Sequence, residues 1–201
     1  DGCSGKYLSG ICSAAGHYEA APIEGGMYRI SNAGQLYWFA QLVNGGTTDA
    51  SAELVNDIVV NRDITGETFR LATWTAIGAE VEFTGSFDGN YHTISGLYAT
   101  GSAETLGFIG NLDGGTVSKV GIIDSYFETD INNCYVGGVV ASNYGTVSQC
   151  WFDGTIIIHG PDAYCGGVVG YNGYEKLTEN CYNLGTVTCN YDGEGGGITT
   201  V

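Results

Sequence analysis

The sequence predicts an all-β fold, a parallel β-helix (β-solenoid) of about 30-residue coils with one N-terminal capping α-helix. Three observations predict it. A glycine motif recurs as Leu106-Gly-Phe-Ile-Gly-Asn, Val136-Gly-Gly-Val-Val-Ala, Cys165-Gly-Gly-Val-Val-Gly and Gly195-Gly-Gly-Ile-Thr-Thr, which places Gly107, Gly138, Gly167 and Gly197 at spacings of 31, 29 and 30 residues. Each copy holds about three short β-branched or aromatic runs separated by Gly, Asn and Asp turns, with no helical period between them. The 201 residues include 34 Gly and only 2 Pro, which excludes collagen and a proline-rich linker.

Taken in order, residues 1–25 form an N-terminal segment with Cys3 and Cys12, a candidate local disulfide. Residues 26–100 read as a helical cap followed by irregular first coils. The helix is expected over 31–44, with Ser31 or Asn32 as N-cap, an apolar face of Leu36, Phe39, Ala40 and Val43, and Gly45 to end it. Laid across the end of a solenoid, it covers strand edges and apolar core. Residues 101–201 are the repeat coils, continuing from the glycine motif into Gly115-Thr-Val-Ser-Lys-Val and Gly145-Thr-Val-Ser-Gln-Cys, then Gly154-Thr-Ile-Ile and Gly185-Thr-Val-Thr. Such a unit cannot bury its own apolar face, but stacked copies about 4.8 Å apart can. Glycine is expected at the corners, where positive φ or the lack of a side chain lets coils stack.

The block Tyr28 to Asn44, then Leu54 to Ile58, Trp74 to Gly78 and Phe83 to Leu97, resembles the leader that precedes GLUG-motif repeats in bacterial cell-surface proteins. The copies from Gly107, Gly138 and Gly167 resemble those repeats themselves, through Phe-Asp-Gly-Asn and Gly-Gly-Val-Val-x-x-Asn. This resemblance covers roughly residues 26–201. It implies a secreted or surface-attached β-solenoid, part of an adhesin or of the non-catalytic region of an exported enzyme, with no catalytic motif to carry over.

Charge narrows the partners. Twenty-two Asp and Glu against 6 Lys and Arg give a formal net charge of −16, which argues against nucleic acid and anionic membrane surfaces. No run of about 18 apolar residues occurs, so no membrane insertion is expected. No cofactor is expected. Acidity is compatible with calcium, but no Asp-x-Asp-x-Asp-Gly loop supports it. A chain beginning at Asp1 with seven cysteines fits an exported protein in an oxidising, extracellular or cell-surface setting.

The candidates for chemistry are Asp113, Asp124, Asp130, Asp153 and Asp162, of which Asp124 and Asp153 fall near one corner of adjacent coils, and His17, His92 and His159. Aspartates in Gly-rich turns read as turn formers, the histidines lie far apart, and no nucleophile motif accompanies them; no enzyme is expected. The 14 Tyr and 3 Trp are the more informative residues. Tyr135, Tyr144, Trp151, Tyr164, Tyr171, Tyr174, Tyr182 and Tyr191 recur at strand ends, either as coil-to-coil ladders or as platforms for sugar rings. Tyr144, Trp151, Tyr171 and Tyr174 are the candidate glycan-stacking residues.

Among the cysteines, Cys150 and Cys181 occupy equivalent positions one coil apart and are a candidate disulfide. Cys134 and Cys165 are a less secure pair, two places out of register. Cys189 is left as a free or intermolecular thiol. The chain stops at Val201, a few residues into a fourth repeat, so Gly196, Gly197, Ile198, Thr199 and Val201 form a candidate self-assembly edge. The expected function is an extracellular structural or adhesive solenoid, a head-to-tail filament subunit or a binder of other surface proteins; the alternative is a carbohydrate-binding module, with a glycan-active enzyme behind it.

Overall fold

The computed structural model describes residues 7–8, 11–12, 18–65, 71–189 and 194–196. A short antiparallel pair, β1 (Tyr7–Leu8) with β2 (Ile11–Cys12), is followed by a hairpin of β3 (Ile23–Glu24) and β4 (Met27–Ile30), helix α1 (Ala33–Asn44), then β5 (Ala52–Leu54) and β6 (Ile58–Val59). The solenoid then winds through four coils. The first holds β7 (Ser86–Asp88), β8 (Thr93–Ser95), β9 (Tyr98–Thr100) and β10 (Thr105–Leu106); the second holds β11 (Ile109–Ser118), β12 (Gly121–Thr129) and β13 (Tyr135–Gly137). The third holds β14 (Val140–Ser148), β15 (Trp151–Ile158) and β16 (Tyr164–Gly166), and the last β17 (Val169–Asn172), β18 (Leu177–Glu179), β19 (Tyr182–Asn183), β20 (Thr186–Cys189) and β21 (Glu194–Gly196). Strands of successive coils pair in parallel to form three long sheets, with the first sheet ending in the antiparallel β3–β4 hairpin. The parallel β-solenoid expected from the repeat is the fold observed.

The uneven 31- and 29-residue spacings have a structural cause. Between the second and third coils the pairing offset is 31 at Ile109↔Val140, 30 from Thr116↔Thr146, and 29 from Tyr126↔Thr155. Each step is a β-bulge, at Asp113/Thr116 and at Ile123/Tyr126. Gly114 (φ 68°) and Asp124 (φ 47°) supply the left-handed residues that absorb the two extra positions. The last coil gains two residues in the turn before β18, so that Asn143 pairs with Asn172 but Thr146 with Leu177.

The core is built of aligned side chains. Phe87, Val117 and Val147 stack along the first sheet, and Ile94, Ile122 and Phe152 along the second, all fully buried. In the last coil the same positions turn polar, to Thr178 and Asn183. Buried Asn143 is satisfied locally: its amide donates to the Asn172 side chain at 2.7 Å and its oxygen accepts from the Gly145 N–H at 2.9 Å.

Positive φ at the corner between the first two sheets is carried by Lys119, Gln149 and Asn180, one per coil, and not by the glycines expected there. The repeat glycines serve close approach instead. A Cβ on Gly107 would strike the Gly137 carbonyl, one on Gly138 the Gly167 carbonyl and the Phe152 ring, and one on Gly145 the Gly115 carbonyl.

Helix α1 begins two residues later than the earliest expected start. Asn32 is the N-cap, accepting from the Gln35 N–H at 3.0 Å, and Gly45 follows the last turn. Leu36, Phe39, Ala40 and Val43 are buried as the periodicity requires. Phe39 lies edge-on to Phe83 and tilted against Phe87, joining the helix to the first coil.

Candidate functional site

Two surfaces stand out from the scaffold. The first is a groove of about 590 Å³ on the side of the first sheet, lined by Glu80, Val81, Glu82, Asn111, Leu112, Asp113 and Tyr144. The segment before β7 reaches it through the Phe83 bridge to Leu112. Asn111 is fixed at its wall by donating to the Gly78 and Ala79 carbonyls at 3.0 and 3.2 Å. Tyr144 follows from the register, one coil above Asp113, and is 44% exposed. Behind it, Tyr171 lies 5.8 Å from the Tyr144 ring and packs edge-on to Tyr135 and Tyr164, which stack on each other at 5.3 Å. Burial and a hydrogen bond with Tyr171 raise the Tyr144 hydroxyl pKa above its ordinary value. Three carboxyl groups, an amide and an aromatic edge make a wall that can accept hydroxyl donors and stack an apolar ring face.

The second is the outer surface of the last coil. Tyr174 is 84% exposed at the tip of the two-residue insertion, Leu177 45% on β18, Tyr182 47% on β19 and Leu184 68% just after it. In the third coil the places of Leu177 and Leu184 belong to Thr146 and, next to Phe152, to Asp153. The stretch 182–189 contains no charged residue. Among the described residues, no strand pairs with the far side of β18, β19, β20 or β21.

These positions split the four candidate glycan-stacking aromatics. Tyr144 and Tyr171 share the first sheet beside the groove, Tyr174 stands on the last coil's turn, and Trp151 lies on the second sheet stacked on Tyr182 at 6.0 Å and 6°. The ladder alternative accounts for Trp151–Tyr182, Tyr135–Tyr164 and Tyr98–Tyr126. Glu80, Glu82, Leu177 and Leu184 were not singled out by the sequence reading. The groove is formed by residues about thirty apart whose approach only the register reveals, whereas the two leucines could have been found by aligning the last repeat on the polar outer positions of the one before.

The cysteine assignments change. Cys165 is bonded to Cys189, not to Cys134, and Cys189 is therefore not free. Cys189 lies in register with buried Ile158, which turns it into the core. Cys165 lies in register with Val136, leaving Cys134 two positions away and buried as a free thiol. Cys150 and Cys181 do occupy equivalent places, each just before the register pair Trp151↔Tyr182, and are free thiols. Cys3 and His17 lie outside the described residues, as do the side chain of Cys12 and, of the candidate edge, Gly197, Ile198, Thr199 and Val201. Gly196 ends β21, the outermost strand of the third sheet.

The remaining titratable residues are dispersed. His92 meets Asp57 at 3.2 Å and His159 meets Glu128 at 2.9 Å. Asp124 sits in the β12 bulge and Asp162 in a left-handed turn, while Asp153 lies opposite Ile123 on the outer face. Among the described residues, no three His, Cys, Asp or Glu are grouped so as to hold a metal ion.

No family model matches the chain, and no curated protein matches it. A solved structure from Bacteroides ovatus, provisionally described as an immunoglobulin A1 protease, is similar to it with a TM-score of 0.60 at 18% identity. The match covers 86% of this chain and 61% of that one, so the present chain spans about three fifths of its neighbour's length. At that identity the likeness is one of fold: both contain the coiled β architecture described above.

Proposed function

We propose that this chain is an extracellular structural or adhesive β-solenoid that associates with a second copy of itself through its last coil. One observation carries the reading: four of the eight exposed large hydrophobic residues among those described, Tyr174, Leu177, Tyr182 and Leu184, crowd onto one coil. A cluster of exposed large hydrophobic residues is a mark of interaction faces. The adjoining strands 182–189 lack the charges and prolines that blunt sheet edges elsewhere. On a chain of net charge −16, the uncharged stretch 182–189 is where two copies approach with least repulsion. The disulfide and the GLUG-like motifs support an exported setting.

Negative-stain imaging of the purified full-length protein tests it. Pairs or rows of particles joined end to end are expected, and dispersed single particles at high concentration would overturn the proposal. The protease description belongs to the Bacteroides neighbour; for this chain, incubation with immunoglobulin A1 is expected to leave the antibody intact.

A carbohydrate-binding reading is favoured by a different observation, the exposed Tyr144 at the rim of an acidic groove. A glycan panel read by intrinsic tyrosine fluorescence checks it. A response lost in Tyr144→Ala would support that reading, and no response to any glycan would remove it.

A further inference from the structure

We propose that Cys150 and Cys181 are a reactive dithiol, a covalent modification site at which Cys181 attacks a disulfide-bearing oxidant and Cys150 resolves the adduct into a bond between the third coil and the last. The proposal is independent of the association reading above.

The geometry is a repeated corner. Gln149 and Asn180 adopt the left-handed conformation with φ of 56° and 54°, and the cysteine after each turns toward the core where the second coil has buried Val120. In-register strands lie about 4.8 Å apart, within the Cα separation a disulfide spans. The Cys150 N–H donates to the Cys181 sulfur at 3.4 Å. Each thiol also lies 3.2 Å from the carbonyl two residues before it, Ser148 for Cys150 and Glu179 for Cys181.

The pair is asymmetric, and that assigns the roles. Cys150 is fully buried, while Cys181 is partly exposed at the corner of the last coil. The neighbouring Cys150 thiol, with the backbone N–H groups of Cys150 and Gln149, lowers the Cys181 pKa to about 7 against the opposing effects of burial and of the Glu179 charge; the same neighbour and burial push Cys150 well up. Cys181 is thus the accessible thiolate and Cys150 the protected partner.

The step balances with a low-molecular-weight disulfide such as oxidised glutathione. The Cys181 thiolate displaces one glutathione thiolate and forms a mixed disulfide. Cys150 then attacks the Cys181 sulfur, its proton passes to the departing second glutathione, and the protein loses two electrons and two protons to the oxidant. The product ties β15 to β19 at the corner where the second sheet begins, while the Cys165–Cys189 bond anchors β20 at the other end of that sheet.

Pulsed alkylation of the full-length protein at pH 7, read by peptide mass mapping, is the first test. Cys181 is expected to label at least about tenfold faster than Cys150 or the buried Cys134, because a thiolate near pKa 7 is half ionised there. Oxidised glutathione should then yield a Cys150–Cys181 cross-linked peptide. In Cys150→Ser the same oxidant should leave glutathione on Cys181; in Cys181→Ser it should leave Cys150 unmodified. Equal labelling of Cys150 and Cys181, or oxidation that leaves both thiols free or pairs Cys181 elsewhere, would overturn the proposal. If either serine variant fails to fold, the wild-type labelling ratio and cross-link decide the question.

Discussion

A methyl group at position 138 would fall on the Gly167 carbonyl and the Phe152 ring, so the smallest possible substitution tests the coil stacking. Gly138→Ala is expected to destabilise the fold by about 1–3 kcal/mol, the range for overpacking a filled interior. An unchanged denaturation midpoint in urea would contradict this. Acid acts elsewhere on the surface. Asp57 is held below its ordinary pKa by the Thr93 N–H first and also by His92; Glu128 is held down by His159, then Tyr126. A depressed carboxyl pKa contributes stability above the unfolded value and loses it as pH falls through the folded one. The melting-temperature difference between wild type and Asp57→Asn should therefore persist at pH 5 and shrink below about pH 4; a difference that grows on acidification would refute the assignment. At this scale the sequence was partly legible. The stacked glycines announce themselves by spacing, whereas Lys119 and Gln149 carry left-handed corners with residue types that give no sign of it.

Helix α1 was legible because three signals agree, an Asn N-cap, an apolar stripe and a terminal glycine. Its hold on the solenoid runs through Phe39 against Phe83 and Phe87. Phe39→Ala should cost about 3–5 kcal/mol, and Asn32→Ala about 1 kcal/mol. Thermal unfolding of both variants checks the ranking, and equal small losses would mean that the helix does not close the core. The first-coil strands were harder to read, being two or three residues long and set by pairing with β11, β12 and β13, not by a pattern of their own. The 31- and 29-residue spacings were visible in the sequence, but their meaning as two bulges at Gly114 and Asp124 required the register.

For the whole molecule, repeat length fixed the coil and left the contacts across it open. Cys189 pairs with Cys165 because both face the interior from different sheets, a relation that no sequence spacing encodes. The groove at Tyr144 likewise joins residues from the segment before β7 and from two later coils. What the chain presents is an acidic body whose last coil exposes Tyr174, Leu177, Tyr182 and Leu184 beside an uncharged stretch at 182–189. Screening its net charge of −16 should strengthen association through that coil, so self-association is expected to increase with salt.

Sedimentation velocity of the full-length protein over a range of concentrations, at low and at about 0.5 M salt, beside the double variant Leu177→Lys, Leu184→Lys, is the most direct measurement. The account predicts a sedimentation coefficient that rises with concentration and with salt for the wild type and stays at the monomer value for the variant. A wild type that remains monomeric at the highest concentration in both salts would contradict it.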